Sequence, residues 1–309
     1  MPDSSLDLVW QPAWPAPVRT MLAQHRRGQG DPTWALDGET VWRAVRTPEG
    51  PATLRVAPLD PEGEVRAAAW GPGARWALDS VPGLLGGLDD LSGFEPTGEA
   101  LLAAVRRLPH WRLGRSGVLW EALAPSILEQ KVTSQEAFGG FRRMVQRFGD
   151  QAPGPGAELG LRLQPSPARV RRIASWEWLQ CGVDGARSAT MVRAATVAES
   201  LQRRLEVDPA ELDAALRSVP GIGVWTSAEV RSRAAGDADA VSFGDYHLAS
   251  QVGWAVARTD FTDAQLAEHL EPWRPHRGRV ATLLRIAGPH RPRHGPRMAP
   301  RTHLPVRGR

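Results

Sequence analysis

Residues Val219-Pro220-Gly221-Ile222-Gly223 constrain this chain more than any other stretch. They lie between two segments of helical pattern, one ending at Ser218 and the next opening at Val224. The chain must therefore reverse within a few residues. Glycine takes positive φ at little steric cost and lets the backbone approach another surface closely. Such a turn at the head of a helix aims several backbone N–H groups at one spot, which suits a phosphate. Gly221, Ile222 and Gly223 supply those donors, and Thr226 adds a hydroxyl. Further on, Asp245 sits in Phe243-Gly244-Asp245-Tyr246, which reads as a short extended run before a helix from His247 to Ala257. An aspartate there is, taken alone, an N-cap.

The rest of the chain divides by pattern. Residues 1–30 hold Trp10, Trp14, the prolines Pro12, Pro15 and Pro17, and a short helix over Val18–His25. Thr40–Arg46, Ala52–Ala57 and Glu64–Trp70 alternate apolar and polar residues with turn residues between, the signature of a small antiparallel sheet. From Gly98 onward the spacing is helical: Glu99–Leu108, Ser116–Val132, a helix from Ser134 to Phe148, one opened by Ser166-Pro167, Ala186–Leu205, one from Asp208-Pro209 to Ser218, then Thr262–Leu270 and Gly278–Ala287. The expected plan is mostly α with a small N-terminal α+β domain: a mixed sheet domain over 1–97, a helical domain over 98–288, and a mobile basic tail over 289–309.

Composition narrows the chemistry. The single cysteine, Cys181, forbids an internal disulfide, a multi-thiolate zinc site and an iron–sulfur cluster within one chain. The tail histidines (His290, His294, His303) match no compact metal spacing. The N-terminus lacks a basic, apolar leader, and no apolar run has membrane length, so a cytoplasmic protein is expected. The net charge is +4, but six arginines and no acid fall between Gly288 and Arg309, leaving the body near −2. Nucleic-acid binding must therefore come from local patches and backbone donors. Lys131 is the only lysine.

Leu216, Val219, the P-G-I-G turn and Thr226 fit the form of a DNA-binding hairpin. With Gly244-Asp245-Tyr246-His247-Leu248 they resemble the hairpin-and-aspartate pattern of the helix-hairpin-helix DNA glycosylases. Ile127-Leu128-Glu129-Gln130-Lys131-Val132-Thr133 and Glu271-Pro272-Trp273-Arg274-Pro275 are similar to segments of the 3-methyladenine glycosylase II branch, and Val41–Leu54 looks like its sheet domain. The resemblance covers roughly residues 30–288 and implies the helix-hairpin-helix DNA glycosylase architecture.

It also implies hydrolysis of the N-glycosidic bond of an alkylated purine flipped out of duplex DNA, with Asp245 as the catalytic carboxylate. Trp225, Phe243 and Gln130 would line the pocket. Gly221, Ile222, Gly223, Thr226, Lys131 and Arg274 would meet DNA. No redox or metal cofactor is expected, although a structural Na+ or K+ fits the hairpin backbone near Val219 and Ile222. Lyase members carry a lysine where this chain has Trp225, so a monofunctional, monomeric, nucleoid-associated enzyme is expected. Lys131 reads as a phosphate contact or a probe in the DNA gap. Trp225 reads equally well as packed core. Glu229, where the branch carries a pocket tyrosine, reads as a solvated helix residue ahead of a pocket acid, and Thr282 stands near where the branch has a late tryptophan. His247 is not expected to be catalytic. The alternatives are a damage sensor without catalysis and a glycosylase for oxidised or deaminated bases.

Overall fold

The computed structural model describes residues 5–59 and 63–289. The arginine-rich tail, apart from its first residue, lies outside the described residues. Five strands form one antiparallel sheet: β1 (Leu6–Trp10), β2 (Trp34–Asp37), β3 (Thr40–Thr47), β4 (Gly50–Leu59) and β5 (Glu64–Trp70), in the order β1-β5-β4-β3-β2. The three strands expected from alternation are β3, β4 and β5. The two outer strands were not foreseen, because β1 and β2 are short and rich in tryptophan and aspartate. The sheet lays Val41, Leu54, Val56 and Ala67 against Met21 and Leu22 of α1 (Val18–Leu22), Leu78 of α2 (Ala74–Asp79) and Leu84 of α3 (Val81–Leu84). Each of these side chains is almost wholly removed from water, which stabilises the packing by about 1.5–3 kcal/mol per large aliphatic residue.

The remaining elements are helical. They are α4 (Glu99–Arg107), α5 (Leu119–Leu128), α6 (Ser134–Phe148), α7 (Pro155–Glu158), α8 (Pro167–Val170), α9 (Ser175–Gln180), α10 (Gly185–Gln202), α11 (Pro209–Arg217), α12 (Val224–Val230), α13 (Leu248–Ala257), α14 (Asp263–Leu270) and α15 (Arg277–Ala287). They bury two apolar cores. The first joins α5, α6 and α8 to α12, with Leu123, Ile127, Phe141, Met144, Trp178 and Met191 at its centre. The second joins α4 to α13, α14 and α15 through Leu101, Val252, Leu266, Leu270 and Leu284. So α4, early in the sequence, packs with the last three helices.

Local signals explain most boundaries. Ser166 and Asp208 cap α8 and α11 with their side chains, each followed by proline. Thr133, not Ser134, caps α6, in a reciprocal box with Glu136. The helix expected over Ser116–Val132 is shorter at both ends. Lys131 lies at φ +53, the left-handed region, so no helix continues through it. Among the described residues, no helix is long and apolar enough to cross a membrane.

Candidate active site at the Asp245 turn

The hairpin is built as its glycines require. Gly221 takes φ +97, and a Cβ there would collide with the Thr190 hydroxyl of α10. Ile222 closes the turn by donating to the Val219 carbonyl at 3.0 Å, and its side chain is buried in the first core. The Ile222 N–H, expected to face a phosphate, is thus engaged within the turn, and the outward donors are left to its neighbours. Gly221, Gly223 and Val224 are exposed on the outer side of the turn.

Gln130 holds this turn from the inside. Its amide nitrogen donates to the Gly221 carbonyl and to the Thr226 hydroxyl, both at 2.9 Å. Gln130 braces the hairpin, a role the sequence did not suggest. Thr226 is buried and engaged with Gln130, so its hydroxyl does not face a phosphate. Arg193, which the sequence did not single out, donates to the Pro220 carbonyl at 2.9 Å. Lys131, next to Gln130, is exposed.

Asp245 ends a tight turn, not the extended run expected. Its N–H donates to the Ser242 carbonyl at 3.1 Å, and Gly244 takes φ +84 between them. A positive φ there needs glycine, which is why Gly244 precedes the aspartate. One carboxylate oxygen accepts the backbone N–H groups of His247 and Leu248, both at 2.9 Å, so Asp245 caps α13. The other accepts the indole N–H of Trp225 at 3.2 Å. Phe243 is half-buried against the second core. His247 is exposed, in edge contact with Tyr246, which is itself 89% exposed.

Below Trp225 the structure corrects the reading of Glu229. It is not solvated. One carboxylate oxygen accepts the Ser242 hydroxyl and the other pairs with Arg233. Burial alone would raise its pKa, but Arg233 and Ser242 together hold it below the usual carboxylate range. Burial likewise disfavours the Arg233 charge, yet Glu229 and Glu129 raise its pKa overall. Arg233 sits on a π-helical turn over Arg231–Ala235 and donates to the Gln24 carbonyl at 3.2 Å. Arg27 and Glu129 approach to 3.5 Å beside this network. Opposite charges four apart on a helical segment were the available signal.

Arg274 stands apart from the hairpin. It is paired with Glu271 at 2.6 Å and Asp239 at 3.2 Å, and is 55% exposed. Asp237 forms a turn by accepting the Asp239 N–H, and it also pairs with Arg231. Asp239 is in addition held by Arg277 at 2.6 Å.

No family model and no curated protein matches the chain. Solved structures do. A 3-methyladenine DNA glycosylase from Archaeoglobus fulgidus superposes with TM-score 0.73 at 18% identity, covering 90% of this chain and 97% of that one. The 8-oxoguanine glycosylase/lyase of Clostridium acetobutylicum gives 0.67 at 10% identity, covering 94% and 100%. The Schizosaccharomyces pombe 3-methyladenine DNA glycosylase, solved with abasic DNA, gives 0.50 at 19% identity over 63% of this chain and 92% of its own. At such identities the likeness is one of fold. The chain shares the fold of these solved structures, with the N-terminal antiparallel sheet and the helical remainder that the sequence led us to expect.

Proposed function

We propose that this protein is a monofunctional DNA glycosylase of base excision repair, acting on alkylated purines of the 3-methyladenine kind flipped out of duplex DNA. The observation that carries the reading is Asp245, an oriented carboxylate at the head of α13, bonded by Trp225 of the helix that the hairpin opens. The hairpin's outward N–H groups would grip the phosphate backbone in any sequence, as an enzyme that inspects all DNA needs. Gly221, Gly223 and Lys131 are exposed for that contact.

The chemistry follows from the carboxylate. As the glycosidic bond stretches, positive charge develops on the sugar, and a nearby fixed carboxylate stabilises it and orients the attacking water. A ring-alkylated purine already carries positive charge, so it departs without a strong general acid. One carboxyl then suffices where ordinary glycosidases use two. Trp225 stands where a lyase would need an amine, and an indole cannot form a Schiff base. Its face would stack against a cationic base.

The steps proposed call on no cofactor. Among the described residues no cluster of His, Cys, Asp or Glu could hold a metal ion. Neutral backbone carbonyls suit an alkali cation, and those of Val219 and Ile222 would be the ones to hold a structural Na+ or K+. Duplex DNA is the partner, bound by a monomer in the cytoplasm.

A second reading, a glycosylase for oxidised or deaminated purines, is favoured by one feature: the buried Glu229–Arg233 pair, one helical turn from Trp225 where the 3-methyladenine branch has an aromatic. A panel of single-lesion duplexes scored for base release separates the two. Release from 3-methyladenine duplexes supports the first reading, and release confined to 8-oxoguanine or hypoxanthine duplexes supports the second. Release from none leaves a DNA-binding damage sensor.

A further inference from the structure

Asp245 is only as well placed as the turn that ends on it. That turn begins at Ser242, whose carbonyl receives the Asp245 N–H. The Ser242 hydroxyl in turn donates to Glu229. Trp225 and Glu229 are four residues apart on α12, hence on one face of it. Both reach the same turn, Trp225 at its end and Glu229 at its start. We infer that Glu229, carried by Arg233, is a positioning residue for Asp245, acting through Ser242. This inference rests on the proposed glycosylase reading for its effect on rate.

The geometry favours positioning over a merely structural pair. Glu229 receives two charge-assisted bonds in a largely buried site, where such bonds are strong. The turn's other lateral hold, from the Gly244 N–H to Asp263 at 2.9 Å, is exposed and correspondingly weaker. Arg233 also ties the pair to the N-terminal segment through the Gln24 carbonyl. The π-helical turn that carries Arg233 is fastened by the N–H groups of Ser116 and Gly117, which donate to the carbonyls of Arg233 and Ala234 at 2.9 and 3.0 Å. The carboxylate loop is thus referenced to three separate parts of the chain. A fraction of an ångström of freedom at a reacting carboxylate lowers rate without touching DNA affinity.

The test uses Ser242→Ala, which removes the link and leaves the Glu229–Arg233 pair intact, with Ser242→Thr restoring the hydroxyl and Glu229→Gln weakening the acceptor. Two quantities are read on the full chain: amide hydrogen exchange across 241–249, and single-turnover base release from a methylated duplex alongside duplex affinity. We expect S242A to exchange the Asp245 amide about tenfold faster, and to release base about tenfold more slowly at unchanged affinity. S242T should behave as wild type. E229Q should fall between, and combining it with S242A should add little. Wild-type exchange in both S242A and E229Q would overturn the inference, whatever the enzyme's substrate. Accelerated exchange with an unchanged rate would also overturn it. Should wild-type protein release no base from any lesion, the glycosylase reading fails and the exchange data still decide whether Glu229 fixes the turn.

Discussion

The indole N–H of Trp225 donates to the Asp245 carboxylate at 3.2 Å, joining the helix opened by the hairpin to the cap of α13. A side chain that holds a carboxylate through one hydrogen bond orients it without supplying chemistry. Trp225→Phe keeps an aromatic face and loses the donor. Single-turnover base release should fall about tenfold, since a bond to a charged group contributes about 1.5–3 kcal/mol. Duplex affinity, measured by fluorescence anisotropy, should stay unchanged. A loss of affinity with an unchanged rate would mean that Trp225 serves the DNA and not the carboxylate.

Gln130 predicts the opposite split. Gln130→Ala removes both of its bonds to the hairpin, to Gly221 and Thr226. Two neutral bonds contribute about 1 kcal/mol each, so duplex affinity should drop roughly tenfold or more. The rate from the saturated complex should hold. A fall confined to that rate would return Gln130 to the base pocket.

How much of this was visible in the sequence differs by element. The strands β3 to β5 and the long helices follow from period and caps, because their side chains face one core each. The hairpin and Asp245 were legible because glycine and proline leave few alternatives for the backbone. The roles of Gln130 and Thr226 were not. Both face the turn from residues far apart in sequence, and polar side chains near a hairpin look alike whether they point in or out. Glu229 misled for a related reason: a charged residue is solvated unless partnered, and one of its two partners, Ser242, lies in a loop whose turn was read as extended.

His25 gives a pH dependence. Its ring Nε2 is shut off from solvent without a hydrogen-bond partner, and burial together with the charges of Arg43, Arg27 and Arg233 depresses its pKa well below the ordinary range. The folded state therefore refuses a proton that the unfolded chain accepts. Stability contributed by this group is present above about pH 6.5 and is lost as pH falls below it, by up to about 1.4 kcal/mol per unit until the folded pKa is reached. Melting temperature should drop between pH 7 and pH 5.5 in the wild type, and drop less in His25→Gln. Equal slopes would contradict the assignment.

Asp89 and Arg279 form an ion pair with both side chains almost wholly buried, 2% and 1% exposed, with an Nη1–Oδ2 distance of 2.7 Å. Arg279 also donates to the Asp90 carbonyl at 3.0 Å, fastening α15 to the segment before α4. Asp89→Ala leaves a buried guanidinium without its counter-charge and should destabilise by about 3–5 kcal/mol. Replacing both residues with apolar ones of similar volume should recover most of that loss. Urea denaturation of the two variants measures it, and an additive double variant would show that the pair is not coupled.

The central claim is that Asp245 performs the hydrolysis in a protein that otherwise only grips DNA. The most direct measurement is single-turnover release of 3-methyladenine from methylated duplex DNA by wild type and Asp245→Asn, with duplex affinity followed in parallel. Asparagine can still cap α13 and accept from Trp225, so the fold and the binding should persist. The account predicts release by wild type, a fall of about a thousandfold or more in the variant, and equal affinity. Release by the variant at the wild-type rate would contradict it.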